Sequence, residues 1–376
     1  MKKVLFTATV VKTHIMQFHI PYLKLFQEMG WETAVAARND YEDPSQCVIP
    51  HCDAYYDIPF ERFPLKAANI TAWRQLKKII DEGNYDIIHC HTPVGAMVTR
   101  MAAVAARKRG TKVIYTAHGF HFFKGAPLLN WLVYFPVEWV LAFLTDVLIT
   151  INREDFAFAG KHIHAKRIEY VPGVGIDTHQ FSAASADPAA KRRELGFSET
   201  DLLLLTVAEM TVNKNHTTVL KALAHLKDQP EFSRIRYLIV GRGENEPVLR
   251  QEVRELGLEE QVFFLGYRRD VAELYRCCDL FVFMSYREGL SVALMEAMCC
   301  GMPTVCTAIR GNTDLIEDGV EGLYAANNPQ ALAEAILTLC RDPERRAALG
   351  RAAAEKINLF DAKSVHKSMK DIYLSL

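Results

Sequence analysis

Short runs of consecutive apolar residues alternate with longer segments in which apolar positions recur every three or four residues. The runs at 3–10 (KVLFTATV), 33–38 (TAVAAR), 86–91 (DIIHCH), 112–118 (KVIYTAH) and 146–152 (DVLITIN) form a first series. A second series comprises 202–209 (LLLLTVAE), 236–243 (RYLIVGRG), 262–267 (VFFLGY), 279–285 (DLFVFMS) and 303–308 (PTVCTA). Between the runs lie amphipathic stretches such as ITAWRQLKKIIDEG (70–83), TTVLKALAHLKD (217–228) and EPVLRQEVRELG (246–257). Runs that are apolar on both faces predict strands covered by helices on either side, the pattern of parallel sheets. Two such series predict an α/β chain of two doubly wound domains. The polar, alanine-rich stretch 182–196 (SAASADPAAKRRELG) is the expected boundary, with an N-terminal domain over 1–183 and a C-terminal domain over 184–360. At the end of the chain, Val365, Met369, Ile372 and Tyr373 fall at helical spacing behind Asp361, a residue suited to capping a helix start. A stripe of that kind has to be buried on a neighbour.

One segment departs from the pattern. LLNWLVYFPVEWVLAFLTDVLITI (128–151) is apolar nearly throughout, but Pro136, Glu138 and Asp146 interrupt it as a membrane span. It reads as a buried helix followed by a strand. Trp131, Tyr134, Phe135 and Trp139 also give it a face suited to a membrane interface. The opening MKKVLFTATVVKTH is basic and then apolar, yet its apolar run is short and lacks a small-residue cleavage pattern, so it reads as the first strand. The net charge of −1 disfavours a nucleic-acid binder. Nine cysteines with no CxxC pair point to reduced thiols and a cytoplasmic protein.

Candidate chemistry concentrates at Arg287–Ala297 (REGLSVALMEA), where seven residues separate Glu288 from Glu296. The stretch reads as strand, tight loop and helix. Gly289 permits a sharp turn, and Ser291 can cap the helix. The free N–H groups of the first turn then favour an anion such as phosphate. Glu296, near the helix start, can accept hydrogen bonds from vicinal hydroxyls, and Glu288 can hold hydroxyls beyond the phosphate. An anion between two polyols describes a nucleotide-diphosphate sugar; taken alone, the same stretch also fits an ordinary capped helix. Ten of the thirteen histidines precede residue 183, and His14, His89, His91, His118 and His121 end strands or start loops. Ligands bind beyond the carboxyl ends of strands in such sheets, so a cleft between the two domains is the expected site.

These motifs resemble the family-4 glycosyltransferases of GT-B fold, whose hallmark is two glutamates seven residues apart in this context. The resemblance extends through TAHGFHFF (116–123), VPGVGIDTHQF (171–181), VAEMTVNKNH (207–216), IVGRGENEPVL (239–249), VFFLGYRRDV (262–271) and RGNTDLIEDGVEGL (310–323). The stretches KTHIMQFHIPYLKLF and YTAHGFHFFKGAP are similar to transferases of bacterial capsule or exopolysaccharide. The resemblance implies two Rossmann-like domains facing across a cleft, with a last helix (361–376) crossing back to the first. It places Glu296 on the ribose, Glu288 on the transferred sugar, and the amides of Gly289, Leu290 and Ser291 on the diphosphate or sugar. Lys214 would meet the leaving diphosphate, and His118 the reacting face of the sugar. Glu209, Gly241, Arg242, Tyr267 and Arg268 would line the nucleotide site, with His14, His19, His91 and His121 on the acceptor side. The implied reaction is retaining transfer of a hexose or N-acetylhexosamine from a UDP-sugar, a substrate and not a cofactor, to a lipid-linked saccharide. Peripheral contact with the inner membrane face through 122–140 fits that acceptor.

Two positions depart from the family pattern. Ala208-Glu209 stands where the family has Gly-Arg, so Arg242, Arg268 or Arg310 would supply the missing cation, or Glu209 would orient Lys214. The first loop lacks the glycine pair found near the acceptor in many members. No DxD motif occurs, so neutralisation of the diphosphate falls to protein groups, and the reaction is expected to need no metal. His89 and His91 share a strand face, with no third metal ligand evident from sequence. A sugar-nucleotide epimerase, a phosphorylase or a non-catalytic nucleotide-sugar-binding protein would share the architecture. A glycoside hydrolase fits poorly, because the glutamates are tied to a phosphate-binding helix start. A dinucleotide oxidoreductase fits poorly too, since Glu246 stands where a third glycine belongs.

Overall fold

Apolar on both faces, the runs of the first series pair side by side into one parallel sheet. Its strands are β1 (Lys3–Val10), β2 (Glu32–Arg38), β3 (Ala54–Asp57), β4 (Ile87–His91), β5 (Lys112–Ala117), β6 (Val147–Thr150) and β7 (Arg167–Tyr170), in the order β3-β2-β1-β4-β5-β6-β7. Register is fixed by pairs such as Val4 with Ile87 and Phe6 with His89. Among its helices are α1 (Ile20–Glu28), α2 (Ala68–Gly83), α3 (Pro93–Ala102) and α4 (Leu128–Ala142). The second series forms β8 (Leu202–Val207), β9 (Ile235–Val240), β10 (Val262–Gly266), β11 (Leu280–Phe283), β12 (Thr304–Cys306) and β13 (Gly322–Tyr324). These make a parallel sheet of order β10-β9-β8-β11-β12-β13. Helix α5 (Val292–Cys299) follows β11, and α6 (Ala362–Leu374) ends the chain.

This computed structural model describes residues 1–61, 63–64, 66–182 and 187–376, apart from the side chain of Ser182. The boundary expected at 183/184 lies outside the described residues. Two compact units emerge: Met1–Val174 with Ser364–Leu376, and Gly175–Lys363. The chain therefore enters the second unit once and returns to the first for its last residues. Val365, Met369, Ile372 and Tyr373 are buried in the first unit's core beside Tyr22, Phe26 and Val35. The Tyr373 ring packs at a tilt against Phe26 at 4.7 Å and meets the buried ring of His89 through its hydroxyl, 2.8 Å from Nδ1.

Helix α4 differs from the sequence expectation. It is not buried all round: Leu128, Leu129, Leu132, Val133, Val140 and Phe143 beside its end are exposed. Trp131, Tyr134 and Phe135, expected on an outward face, pack inward on the core, and only Trp139 of that group is exposed. The helix is apolar around its whole circumference, so periodicity carried no information about which side faces in. Among the described residues, no helix is long and apolar enough to cross a membrane.

Candidate active site

Both sheets reverse strand order once, β1 against β4 in the first unit and β8 against β11 in the second. At such a point the loops leaving two adjacent strands diverge and open a crevice. The sequence-predicted residues collect at these two places.

In the second unit, the turn after β8 is tied to the loop after β11. The backbone N–H of Tyr286 donates to Asn213 O at 2.9 Å, and Asn213 Nδ2 donates to Arg287 O at 3.0 Å. This brings Lys214 Nζ to 2.7 Å from Glu288 Oε1. Both side chains are largely shielded, at 22% and 11% exposure, so the pair is held in a poorly screened site. Ser291 caps α5 by accepting from the N–H of Leu294 at 3.3 Å. One turn in, Glu296 accepts from Tyr275 Oη at 3.1 Å. Burial pushes the Glu296 carboxyl up to about 7, against the lowering effect of the Tyr275 hydroxyl. Tyr275 was not singled out from the sequence; it lies inside an ordinary apolar helix pattern.

The loops after β8, β9 and β10 stack backbone to backbone. Ala208 N–H donates to Val240 O, Met210 N–H to Arg242 O, and Gly241 N–H to Gly266 O. Gly241 adopts φ +138°, and a Cβ there would lie 2.0 Å from Ala208 O, so only glycine fits this approach. Glu209, Arg242 and Tyr267 are exposed on these loops. Of the cations that could replace the family arginine, Arg268 is spent on Asp270, with Nε 2.8 Å from Oδ1. Arg310 is buried and donates from Nε to the carbonyl of Glu288 at 3.2 Å. Gly311 makes this approach possible: a Cβ on it would stand 2.4 Å from Gly289 O. The partner of Lys214 is Glu288, and Glu209 has no part in that pair.

In the first unit, residues from three separate segments converge beyond β1, β4 and β5. The imidazole nitrogens of His14, His19, His91 and His118 can all come within 4.8 Å of one another. His118 Nε2 lies 3.3 Å from His91 Nδ1, while His19 and His91 stack at 3.7 Å. Burial, and for His14, His19 and His91 also the neighbouring imidazoles, hold all four below their ordinary value, His118 to about 4. Four neutral imidazoles form a donor set that suits a borderline cation such as zinc. That corrects the sequence view of a histidine pair lacking further ligands. Both ring nitrogens of His89 are engaged by Tyr373 and Thr116, while His91 joins His14, His19 and His118. His121 stands apart from the cluster. With Thr9, Thr13, His14, Thr92 and Tyr134 it lines a cavity of about 300 Å³, whose other walls are Val10, Pro93 and Val94.

Comparison with known proteins bears on this arrangement. Residues 3–152 match the family described as glycosyl transferase 4-like, and residues 187–356 match glycosyl transferases group 1. A Bacillus subtilis protein named "Putative glycosyltransferase EpsD" is 40% identical over 375 residues, covering 99% of this chain and 96% of the relative. The chain belongs to the family-4 glycosyltransferases of GT-B fold. This glycosyltransferase is also 25% identical, over 83% of each chain, to the Escherichia coli UDP-Gal:alpha-D-GlcNAc-diphosphoundecaprenol alpha-1,3-galactosyltransferase. In fold it resembles Anabaena Alr3699/HepE, solved in complex with UDP and glucose, with a TM-score of 0.82 and 22% identity over the full length of both.

Proposed function

We propose that this glycosyltransferase moves a hexose or N-acetylhexosamine from a UDP-sugar to a lipid-linked saccharide in capsule or exopolysaccharide synthesis, with retention at the anomeric carbon. The observation that carries the reading is the Lys214–Glu288 pair beside the capped start of α5, with Glu296 one turn further in. Lys214 and the first-turn amides would take up the charge that develops on the departing diphosphate, an interaction stronger in the transition state than in the ground state. No metal at the diphosphate is needed in this scheme. Glu288 would hold the transferred sugar and Glu296 the ribose. His118 would face the reacting sugar, with His14, His19, His91 and His121 toward the acceptor. The UDP-Gal donor and diphosphoundecaprenol-linked acceptor of the Escherichia coli relative support the UDP-sugar and the lipid-linked saccharide. Action at the inner membrane face, from the cytoplasm, fits both substrates.

The test is a thermal-shift panel of nucleotide sugars followed by product analysis. UDP-sugars should raise the midpoint more than GDP- or ADP-sugars, and transfer should persist in EDTA. Stabilisation by a different nucleotide would overturn the donor assignment, and loss of transfer in EDTA restored by a divalent ion would overturn the metal-free scheme.

The Glu296 assignment has its own signature. A carboxyl raised from 4.5 to about 7 keeps its proton in the free protein well into the neutral range. The folded state therefore binds more protons than the unfolded one between these values. Its contribution to stability falls as pH rises through that window. Ribose hydroxyls donate to the ionised form, so UDP binding should release a proton. UDP affinity should then rise between about pH 6 and 8 and level off above it. Calorimetry in two buffers of different ionisation enthalpy measures the release. Glu296→Gln should abolish it and weaken UDP by about 1–3 kcal/mol. No proton release by the parent protein would remove Glu296 from the ribose.

A further inference from the structure

We propose that a second cavity in the first unit, between α3, α4 and the segment at Phe63–Pro64, holds the hydrocarbon chain of the lipid-linked acceptor. The proposal rests on the reading of a lipid-linked acceptor and adds where its chain lies. The cavity has a volume of about 520 Å³ and is walled by Phe63, Pro93, Met97, Leu129, Val133 and Val137.

Its chemistry selects the occupant. Among the described residues three polar side chains line it: Tyr134, at the edge shared with the neighbouring cavity, and Asn130 and Glu138, which are bonded inside the protein. Asn130 Nδ2 donates to His121 O at 3.0 Å, and Glu138 accepts from Arg100 Nη2 at 2.8 Å and from Tyr115 Oη at 3.2 Å. A peptide or a second protein surface would bring a row of backbone N–H and C=O groups, for which the lining offers little beyond the Tyr134 hydroxyl, and each unpaired group is costly to bury. A hydrocarbon brings none. The cavity is also continuous with one that carries hydroxyls and imidazoles. It shares Pro93, Val94 and Tyr134 with the 300 Å³ cavity lined by Thr9, Thr13, Thr92, His14 and His121. His14 in turn stacks edge-on against His118 at 4.8 Å. From His118 outward the lining thus runs from imidazoles, through hydroxyls suited to a sugar, to a mostly apolar cavity. That is the order of parts in an amphiphile whose saccharide end reacts. Leu128 and Leu132, 80% and 74% exposed at the rim of the same helix, extend the apolar surface to where a chain would leave toward a bilayer.

The test uses the full chain with farnesyl diphosphate and methyl diphosphate as probes, followed by calorimetry. The farnesyl probe should bind at least about tenfold more tightly, because its chain leaves water. Leu129→Asp and Val133→Asp, at exposed positions lining the cavity, should remove most of that advantage without lowering the thermal midpoint. Leu132→Asp, on the rim and outside the lining, should leave it in place. The idea fails if the chain confers no advantage or if the two lining variants retain it. It also fails if Leu132→Asp loses as much as they do, or if all three equally lose binding to phosphatidylglycerol vesicles, which would mark a general bilayer surface. Failure of the underlying reading looks different. Transfer to lipid-linked saccharides with unaffected lining variants would refute the cavity alone. Transfer only to water-soluble saccharides, with the farnesyl advantage intact, would refute the lipid-linked acceptor alone.

Discussion

Removing residues 364–376 should unfold the first unit while leaving the second able to bind UDP. The deleted segment contributes Val365, Met369, Ile372 and Tyr373, each 5% exposed or less. Four such side chains represent roughly 6–12 kcal/mol of burial, comparable to the whole stability of an ordinary domain. The loss also strips a hydrogen-bond partner from His89, which is fully buried. The second unit keeps its closing contacts, because Asp361 stays in place, with Oδ2 2.7 Å from Thr178 Oγ1. Limited proteolysis with mass mapping, beside UDP calorimetry, checks both halves of the statement. A truncated chain whose residues 1–174 remain protease-resistant would refute it. Tyr373→Phe, which keeps the ring, should cost about 1–3 kcal/mol.

The second large effect is expected at the Lys214–Glu288 pair. Lys214→Ala should lower kcat by about 10²–10³, the usual loss when one preorganised group facing transition-state charge is removed. Glu288→Ala should lower kcat comparably while leaving UDP affinity unchanged or slightly improved, since it releases Lys214 from its 2.7 Å partner. The double variant should lose less than the sum of the two, as residues acting as one unit do. Steady-state kinetics with UDP calorimetry on all three variants would decide. Additive losses, or a large fall in UDP affinity for Glu288→Ala alone, would break the assignment of the carboxylate to the sugar and the ammonium to the diphosphate.

What the sequence reveals of this fold follows burial. The central strands β1, β4, β8 and β11 are covered on both faces and read as apolar runs. Strands β3 (AYYD), β7 (RIEY) and β13 (GLY) were not expected, and all three lie at sheet edges. An edge strand has one neighbour and partial cover, so its residues need not be apolar, and three or four of them leave little pattern. The donor-side residues were legible because Glu288 to Glu296 is one continuous strand–loop–helix stretch. The pairing of Lys214 with Glu288 was not, since it depends on β8 and β11 being neighbours across 74 residues. The histidines were legible as strand-end and loop residues of one domain, but their close grouping was not, for the same reason. Its members come from the loop after β1, the start of α1, the end of β4 and the end of β5, and no spacing along the chain links them.

The return of the last residues to the first unit sets an order of events during synthesis. Tyr373 meets His89 across 284 positions, and every residue of the second unit is made in between. A nascent first unit therefore waits with an open groove over Tyr22 and Phe26 while the second, contiguous in sequence, can fold as it emerges. Until then the groove is an apolar surface of the kind chaperones hold. Folding of the second unit shortens the connection from a long flexible loop to a fixed span, lowering the entropic cost of closure. Completion of the second unit thus comes before the first can be sealed. A chain that stops early yields a finished second unit and an unsealed first one.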